Sequence, residues 1–374
     1  SQRQGDVPGR GVDVAAGGKD DPRVGNDEGP VELREFLDRL AEVRVVDGRG
    51  SPIAGAKVAV FLPTDSTDPR GALAPIEGEN NLENNEEAQK FFTDTIYIDQ
   101  ARCGVNTGGR MTRKRTLHNL REKARRQQSS WWARLKDEIR FIYLSGARGV
   151  NANFLVPTTW TSRANNALVT PDTNHLLYGN DATAFNNIDS ADKFDLRLVD
   201  RAKTKADSQG GGATSIPVLQ PCKFDGNECF VCVMHSFQED DLRANTNTGQ
   251  WLDIQKAAAT AEGRNSPLFK GSMGMYRGVI LHSHRNVIRF STAGAGSNVE
   301  AARALFMGSQ ALVEAYGSPG TSLRFDWNEE TRDNGDKIVI SSSCIWGTKK
   351  VTFTTDIGAQ DFGVFSLDTA AASR

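Results

Sequence analysis

Apolar positions along this chain follow two periods, and the switches between them mark its elements. Phe230-Val-Cys-Val-Met234 is a short run of β-forming residues, and the run to Phe290 repeats the pattern after a turn region from Gly271 to Gly278. Between these runs the period becomes helical. Ser236 and Asp240 can cap a segment carrying Leu242, while Leu252, Ile254 and the three alanines from Ala257 fit an amphipathic helix ended by Gly263. A buried strand, two short helices and a return strand make this unit α+β.

Upstream, Val43 and Val45 share one strand face before an Asp47-Gly-Arg-Gly50 turn, and Val58, Val60 and Leu62 then alternate with Lys57, Ala59 and Phe61. A second strand is expected over Phe91 to Gln100, with Ile96 and Ile98 opposite Thr95, Tyr97 and Asp99. Between the strands lies an acidic, Asn- and Gly-rich tip from Asp65 to Glu87. The strongest helix runs from Arg113 to Leu144, with Leu117, Leu120, Ala124, Gln128, Trp131, Leu135, Ile139 and Ile142 at spacings of three or four. Thr112 would cap it and Gly146 would end it, giving a helix of roughly 48 Å at 1.5 Å per residue. Its outer face is cationic, through Arg113, Lys114, Arg115, Arg121, Lys123, Arg125, Arg126, Arg134, Lys136 and Arg140, set against Glu122, Asp137 and Glu138.

Val150 to about Asn187 is rich in Asn, Thr and Pro and reads as irregular. Asp192 to Ala206 reads as a second helix, with Phe194, Leu198 and Ala202 on one face, followed by a Gln209-Gly-Gly-Gly-Ala213 hinge. Val299 to Tyr316 is expected to be helical, with Ala302, Leu305, Phe306, Ser309 and Leu312 on one face. Strands then follow from Leu323 to Phe365. The stretch from Val45 to Val58 resembles the opening of small immunoglobulin-like modules, but the rest of such a module is missing.

Composition narrows the function classes. The 374 residues suffice for two or three domains, and 45 Lys and Arg against 47 Asp and Glu give a net charge of -2. A dedicated nucleic-acid binder usually carries a strong basic excess. The apolar runs fall short of a membrane span, and no charged-then-apolar leader opens the sequence, so neither membrane insertion nor secretion is expected. Ser1 fits either removal of an initiator Met or cleavage of a leader. Residues 1 to about 30 are rich in Gly, Asp, Arg and Pro and lack periodicity, the composition of an arm that orders against a partner. Five cysteines leave one unpaired at best and fit a reducing compartment.

Three constellations could carry chemistry. Cys222, Cys229, Cys232 and His235 offer thiolates and an imidazole for zinc, but the Cys-x6-Cys-x2-Cys-x2-His spacing lacks a second matched pair and Cys232 falls mid-strand, so core packing is the expectation. His282 and His284 share a strand face as in metal hydrolases, yet no carboxylates announce themselves nearby, so a surface strand with Arg285 at a subunit contact is expected. Glu86, Glu87, Asp94 and Asp99 read as contact charges and not as an acid/base pair. Walker, nucleophile-elbow and dinucleotide patterns are absent from the sequence. No enzyme activity and no cofactor are therefore expected; the alternatives retained are a metal-dependent hydrolase and a nucleic-acid-binding protein acting through the basic helix.

The strand ending Val-Met-His235, then Asp241-Leu-Arg, Gln250-Trp-Leu-Asp-Ile-Gln-Lys256 and Gly271-x-Met-Gly-Met-Tyr276 resemble, in this order, the major capsid proteins of tailed phages, in particular the N-four-like family. The resemblance extends to Asn84-Asn-Glu-Glu87, Ile98-Asp-Gln100, the helix from Arg113, Ala304-Leu-Phe-Met-Gly-Ser-Gln310, Arg332-Asp-Asn-Gly335 and Trp346-Gly-Thr-Lys-Lys350, covering roughly residues 77 to 374. It implies the α+β Hong Kong 97-type coat fold. In that plan residues 1–41 are an N-terminal arm, 42–112 an extended β-hairpin loop, 113–209 a peripheral domain with its spine helix at 113–144, 210–318 an axial domain and 319–374 the return strands of the peripheral domain.

The resemblance also implies a protein that self-assembles into hexamers and pentamers of an icosahedral shell around double-stranded DNA, built in the bacterial host cytoplasm. Its partners would be itself, portal, scaffolding and decoration proteins, and the packaged DNA through weak electrostatics, with no membrane. The charge separation suggests that Glu77, Glu79, Glu83, Glu86 and Glu87 of one subunit dock against Arg113, Lys114, Arg115, Arg121, Arg125 and Arg126 of the next, an arrangement that sets register more than affinity. Pro63 to Pro75 departs from the plainer strand of the family.

Overall fold

In the computed structural model, placement is described for the backbone of residues 42–44 and for residues 94–208, 218–224, 227–247, 250–251, 274–317, 324–355 and 358–373. The arm, the loop strand at 58–62, the acidic tip, the Gln209 to Ala213 hinge, the 252–263 helix and the immunoglobulin-like stretch beyond residue 45 lie outside the described residues.

Chain order begins with β1 (Glu42–Arg44), β2 (Asp99–Asn106), α1 (Arg110–Arg115) and α2 (Leu120–Ser145). The short pairs β3 (Ser162–Arg163) and β4 (Asn166–Ala167) follow, then β5 (Leu176–Tyr178), α3 (Leu196–Asp207), β6 (Cys222–Phe224), β7 (Asn227–Met234) and α4 (Ser236–Ala244). The remainder is β8 (Met275–Tyr276), β9 (Val279–Ser283), β10 (Arg289–Ala293), β11 (Val299–Met307), β12 (Leu312–Gly317), β13 (Asp326–Arg332), β14 (Lys337–Lys350), β15 (Thr352–Thr355), β16 (Gly358–Asp361) and β17 (Val364–Ala370).

Two sheets organise these elements. The first is centred on the 14-residue β14: β2 runs antiparallel along one edge, and β13 and then β12 occupy the other, with β1 parallel on the far side of β12. The second has the order β5-β17-β11-β7-β9-β8, with β10 added to β11 and β6 to β7. Its apolar face packs with α3 in one cluster that includes Phe194, Leu198, Ala202, Phe230, Met234, Leu242, Phe306 and Phe365. Helix α3 begins at Asp195, whose side chain accepts from Leu198 N at 2.8 Å, slightly later than expected.

The long helix is shorter than its periodicity suggested. Thr112 does not cap it; the chain forms α1, leaves helical geometry at Thr116 and restarts after Asn119, whose side chain accepts from Glu122 N. Leu117, expected on the apolar face, is wholly exposed. The 26 residues of α2 span about 39 Å. Gly146 ends the helix as expected: it is left-handed, and a Cβ there would meet Val169 O at 2.1 Å. The start of α1 is closed by a distant residue, Asp336, which accepts from Arg110 N at 2.8 Å. Similarly, α4 is capped by His235 in a capping box with Gln238, not by Ser236 or Asp240.

Residues 299–316, expected to be helical, are the two strands β11 and β12. The error has a physical cause. β11 is flanked on both edges, by β17 on one side and by β7 and β10 on the other, and covered on both faces, so its residues are buried without alternation. Such a run cannot be separated from a buried helix by period, and Ala301, Ala302 and Ala304 tilt the reading toward helix. The strands after residue 323 are present as expected, and the β2 ladder begins only at Asp99, where Phe91 to Gln100 was expected. Ahead of it Tyr97 pairs through its backbone N and O with the Asn166 side-chain amide, both at 2.8 Å. Across the segment boundaries read from the sequence, β12 pairs with β14, and β17 pairs with β11 and β5.

Candidate assembly surfaces

The cationic face of α2 is aimed by what its opposite face grips. Gln128, Trp132, Lys136 and Arg140 are four residues apart, a step of about 6 Å along a helix, which nearly matches the roughly 6.7 Å spanned by two residues of a strand. Successive helix positions therefore meet alternate positions of the sheet. Gln128 Nε2 donates to Ile340 O at 2.8 Å, and Trp132 Nε1 donates to Ser342 Oγ at 2.8 Å. Lys136 Nζ donates to Tyr316 Oη at 3.2 Å and lies 4.3 Å from the Tyr316, 4.6 Å from the Phe325 and 5.3 Å from the Trp346 ring centroid. Arg140 forks onto Glu314 of β12 at 2.7 and 3.0 Å, and Tyr316 Oη donates to the same carboxylate at 2.7 Å.

Electrostatics follow from this packing. Burial lowers the Lys136 ammonium below its ordinary range, partly offset by Cys344 and Glu314. Burial pushes the Glu314 carboxyl up, but the Arg140 fork, the Tyr316 hydroxyl and Lys136 outweigh it, and the net direction is down. Burial and the neighbouring Glu314 hold the Tyr316 phenol well above its usual range. The sequence reading placed Trp131 and Leu135 on this face; the structure turns Trp132 and Lys136 inward. A buried lysine in a ring of aromatics leaves no apolar signature by which period could find it.

On the outer side, the expected contact cations divide into two groups. Arg121 pairs with Glu329, Arg125 lies 4.7 Å over the Trp327 ring, and Arg113 Nη1 donates to Gly108 O at 3.0 Å. β13 thus holds two of them. Lys114, Arg115 and Arg285 are exposed, as is Arg126, which pairs with Glu122 at 2.6 Å across one helical turn. Met111 and Leu117 are exposed among these charges. The proposed counter-charges Glu77, Glu79, Glu83, Glu86 and Glu87 lie outside the described residues.

The residues of the two metal constellations are absorbed into strand pairing, core packing and helix capping. Cys222 and Cys229 are register partners on β6 and β7, Cys232 is fully buried in the second sheet, and His235 Nδ1 accepts from Phe237 N to cap α4. Desolvation pushes the Cys222 and Cys232 thiols up to about 12 and the His235 imidazole down to about 4. His284 stacks on Phe141 of α2 with centroids 4.8 Å apart, and its ring is 6.5 Å from that of His282. Among the described residues no group of three or more His, Cys, Asp and Glu side chains converges on a metal position. No described helix is long and apolar enough to cross a membrane.

Sequence reasoning missed the buried ion pairs. Arg303 and Asp368 face each other in the register of β11 and β17 and form a bidentate pair at 2.7 and 2.7 Å, while Arg303 Nη1 donates to Ser145 O at the end of α2. Lys350 and Asp361 pair at 2.7 Å, almost fully buried. The signal was available: Glu314 is the one charge of β12, Asp368 the one charge of β17, and Arg303 stands between Ala302 and Ala304 in β11.

Comparison with known proteins decides what this architecture is for. A family model described as phage capsid protein matches residues 70–373. The chain belongs to the phage capsid protein family. The capsid of Ralstonia phage GP4 is 40% identical, covers 97% of this chain and 99% of its own, and superposes with a TM-score of 0.77. The major capsid protein of Pseudomonas phage KPP25 is 29% identical over 79% of this chain and 80% of its own length. The capsid asymmetric unit of cyanophage Pam1, 20% identical with 97% of this chain and 99% of its own covered, shares the fold at a TM-score of 0.64. This capsid protein is a structural subunit of a phage shell and not an enzyme. It assembles with copies of itself, and its place is the virion. The mixed helix and strand architecture agrees with the Hong Kong 97-type coat fold expected from the sequence.

Proposed function

We infer that this capsid protein forms hexamers and pentamers of an icosahedral shell, assembled in the host cytoplasm around or ahead of double-stranded DNA, with portal, scaffolding and decoration proteins as its further partners. Similarity over 97% of the chain to a phage capsid supports the reading. In this reading residues 1–41 are an arm, 42–112 an extended loop, 113–209 the peripheral domain, 210–318 the axial domain and 319–374 the return strands of the peripheral domain.

The acidic tip of one subunit docks on the cations of the next. The observation that carries this is the set of exposed cations Lys114 and Arg115 on α1 and Arg126 on α2, the last held outward by the seam between α2 and β14, in a chain with an acidic run from Glu77 to Glu87. Many modest contacts of this kind, repeated in a closing shell, add to a high collective stability. Expression with the neighbouring phage genes, followed by sedimentation and negative-stain microscopy, tests both levels. Closed particles support the shell. Reversal of Glu83, Glu86 and Glu87 to lysine is expected to abolish particles while leaving a folded monomer by circular dichroism, and normal particles from that variant reject the docking contact.

A further inference from the structure

Strand β14 ends at Lys350 and β16 ends at Asp361, and the pairing of β15 with β16 brings the two side chains together. Thr352 and Asp361 are register partners, and Phe362 N donates to Val351 O at 3.0 Å, so the backbone fixes both residues from the adjacent positions. Lys350 Nζ lies 2.7 Å from Asp361 Oδ1 and 2.8 Å from Oδ2, with the side chains only 1% and 2% exposed. A third acid adjoins the pair. Asp172 Oδ2 accepts from Asp361 N at 2.7 Å, Asp172 N donates to Asp361 Oδ2 at 3.4 Å, and His175 Nδ1 is 3.0 and 2.9 Å from the two Asp172 oxygens.

Desolvation lowers the Lys350 ammonium below its ordinary range and raises the Asp361 carboxyl above its own. Both directions move the pair toward free amine and carboxylic acid, the forms that condense. Burial also raises the Asp172 carboxyl, but the His175 contact and the amides of Asp361 and Asn174 outweigh it, and the net direction is down. Asp172 is therefore an ionised base beside a pair poised to react. The Arg303 and Asp368 pair is similarly buried but cannot do the same, because a guanidinium keeps its proton.

We propose that Lys350 Nζ and Asp361 Cγ join in an intramolecular isopeptide bond that forms once the chain has folded. The Asp172 carboxylate takes one proton from the ammonium, and the free amine attacks the carboxyl carbon. A C–N bond forms as one C–O bond breaks, and the leaving oxygen departs as water with the two protons that the nitrogen loses. No oxidant, cofactor or second substrate is required. A dry, prearranged pair supplies the effective concentration and the exclusion of bulk water that such a condensation lacks in solution. The bond closes residues 350–361 into a ring, where the chain passes from β14 of the first sheet to β17 of the second. It needs only the folded chain and is independent of the docking of subunits.

The test is a tryptic digest of the denatured full-length protein, read by mass spectrometry. No Lys or Arg lies between Lys350 and Arg374, so an amide on Lys350 blocks cleavage there. One peptide running from Lys350 to Arg374 is expected, lighter than its sequence by one water, with a fragment series interrupted from 350 to 361 and regular from Phe362 onward. Lys350→Arg, which keeps the charge without the amine, and Asp361→Ala restore the full mass. Asp172→Asn leaves the chain uncrosslinked, and full crosslinking in that variant overturns the proton transfer to Asp172. The wild-type digest decides by itself when a variant fails to fold. A succinimide at Asp356 or Asp361 also loses water but leaves Lys350 cleavable, so a dehydrated peptide beginning at Val351 overturns the bond. So does a peptide from Val351 to Arg374 at full mass, which marks the pair as an ordinary buried salt bridge.

Discussion

The second sheet and the seam between α2 and β14 are both buried, but they are built differently. In the sheet, Phe230 and Phe306 stack at 5.2 Å, Phe306 and Phe365 tilt together at 6.2 Å, and Leu198, Leu242 and Leu281 fill the remainder. Apolar contact of this kind is large in magnitude and undemanding in direction. Along the seam, hydrogen bonds and charges recur every four helix residues, and a helix slipped by one residue would lose all of them together. Burial in the first region supplies stability; the polar ladder in the second fixes the rotation of α2, and with it the direction in which Arg121, Arg125 and Arg126 face.

Predictions that break this contrast can be ordered by size. Asp368→Ala leaves Arg303 charged and unpaired in the sheet and is expected to cost about 3–5 kcal/mol in chemical denaturation, while replacing both partners by apolar residues of similar volume costs far less. Phe306→Ala opens a cavity in the apolar cluster and should cost about 3–4 kcal/mol by the same measurement. Trp132→Phe keeps the ring but strands Ser342 Oγ, an expected loss of about 1–2 kcal/mol.

The Arg140 and Glu314 pair gives a graded effect. The folded-state carboxyl lies below its ordinary value of 4.5, so its contribution is complete above pH 4.5 and disappears as pH falls through the lowered value. Glu314→Gln should flatten that acid limb of a stability curve. At the small end, Glu122→Gln removes only an exposed pair with Arg126 and is expected to change stability by less than about 0.5 kcal/mol. A larger change there would mean that the outer face of α2 contributes to folding as well as to assembly.

The sequence announces the apolar region and hides the polar one. Phe230 to Met234 reads as a strand at once because β-formers cluster there, and Gly146 marks the helix end because left-handed geometry favours glycine. Val299 to Tyr316 misleads because a doubly covered strand has no period, and its alanines favour helix. Lys136 and Arg140 look like solvent residues until the aromatic ring and Glu314 that receive them are brought close by strands almost 180 residues away. The exposed contact cations are legible one by one, yet which of them β13 would claim depends on Glu329 and Trp327, remote in the chain.

Strand β14 also has a mechanical consequence. Its eight register partners on β2, from Val339 with Asn106 to Trp346 with Asp99, run antiparallel beside it. A pull on β2 along the strand direction loads the whole ladder in shear, so the bonds must yield together; a pull across it would peel them singly. The joint between β2 and β14 is therefore strong along one axis and weak along the other, and a shell stretched from within is best served when its tension follows β14.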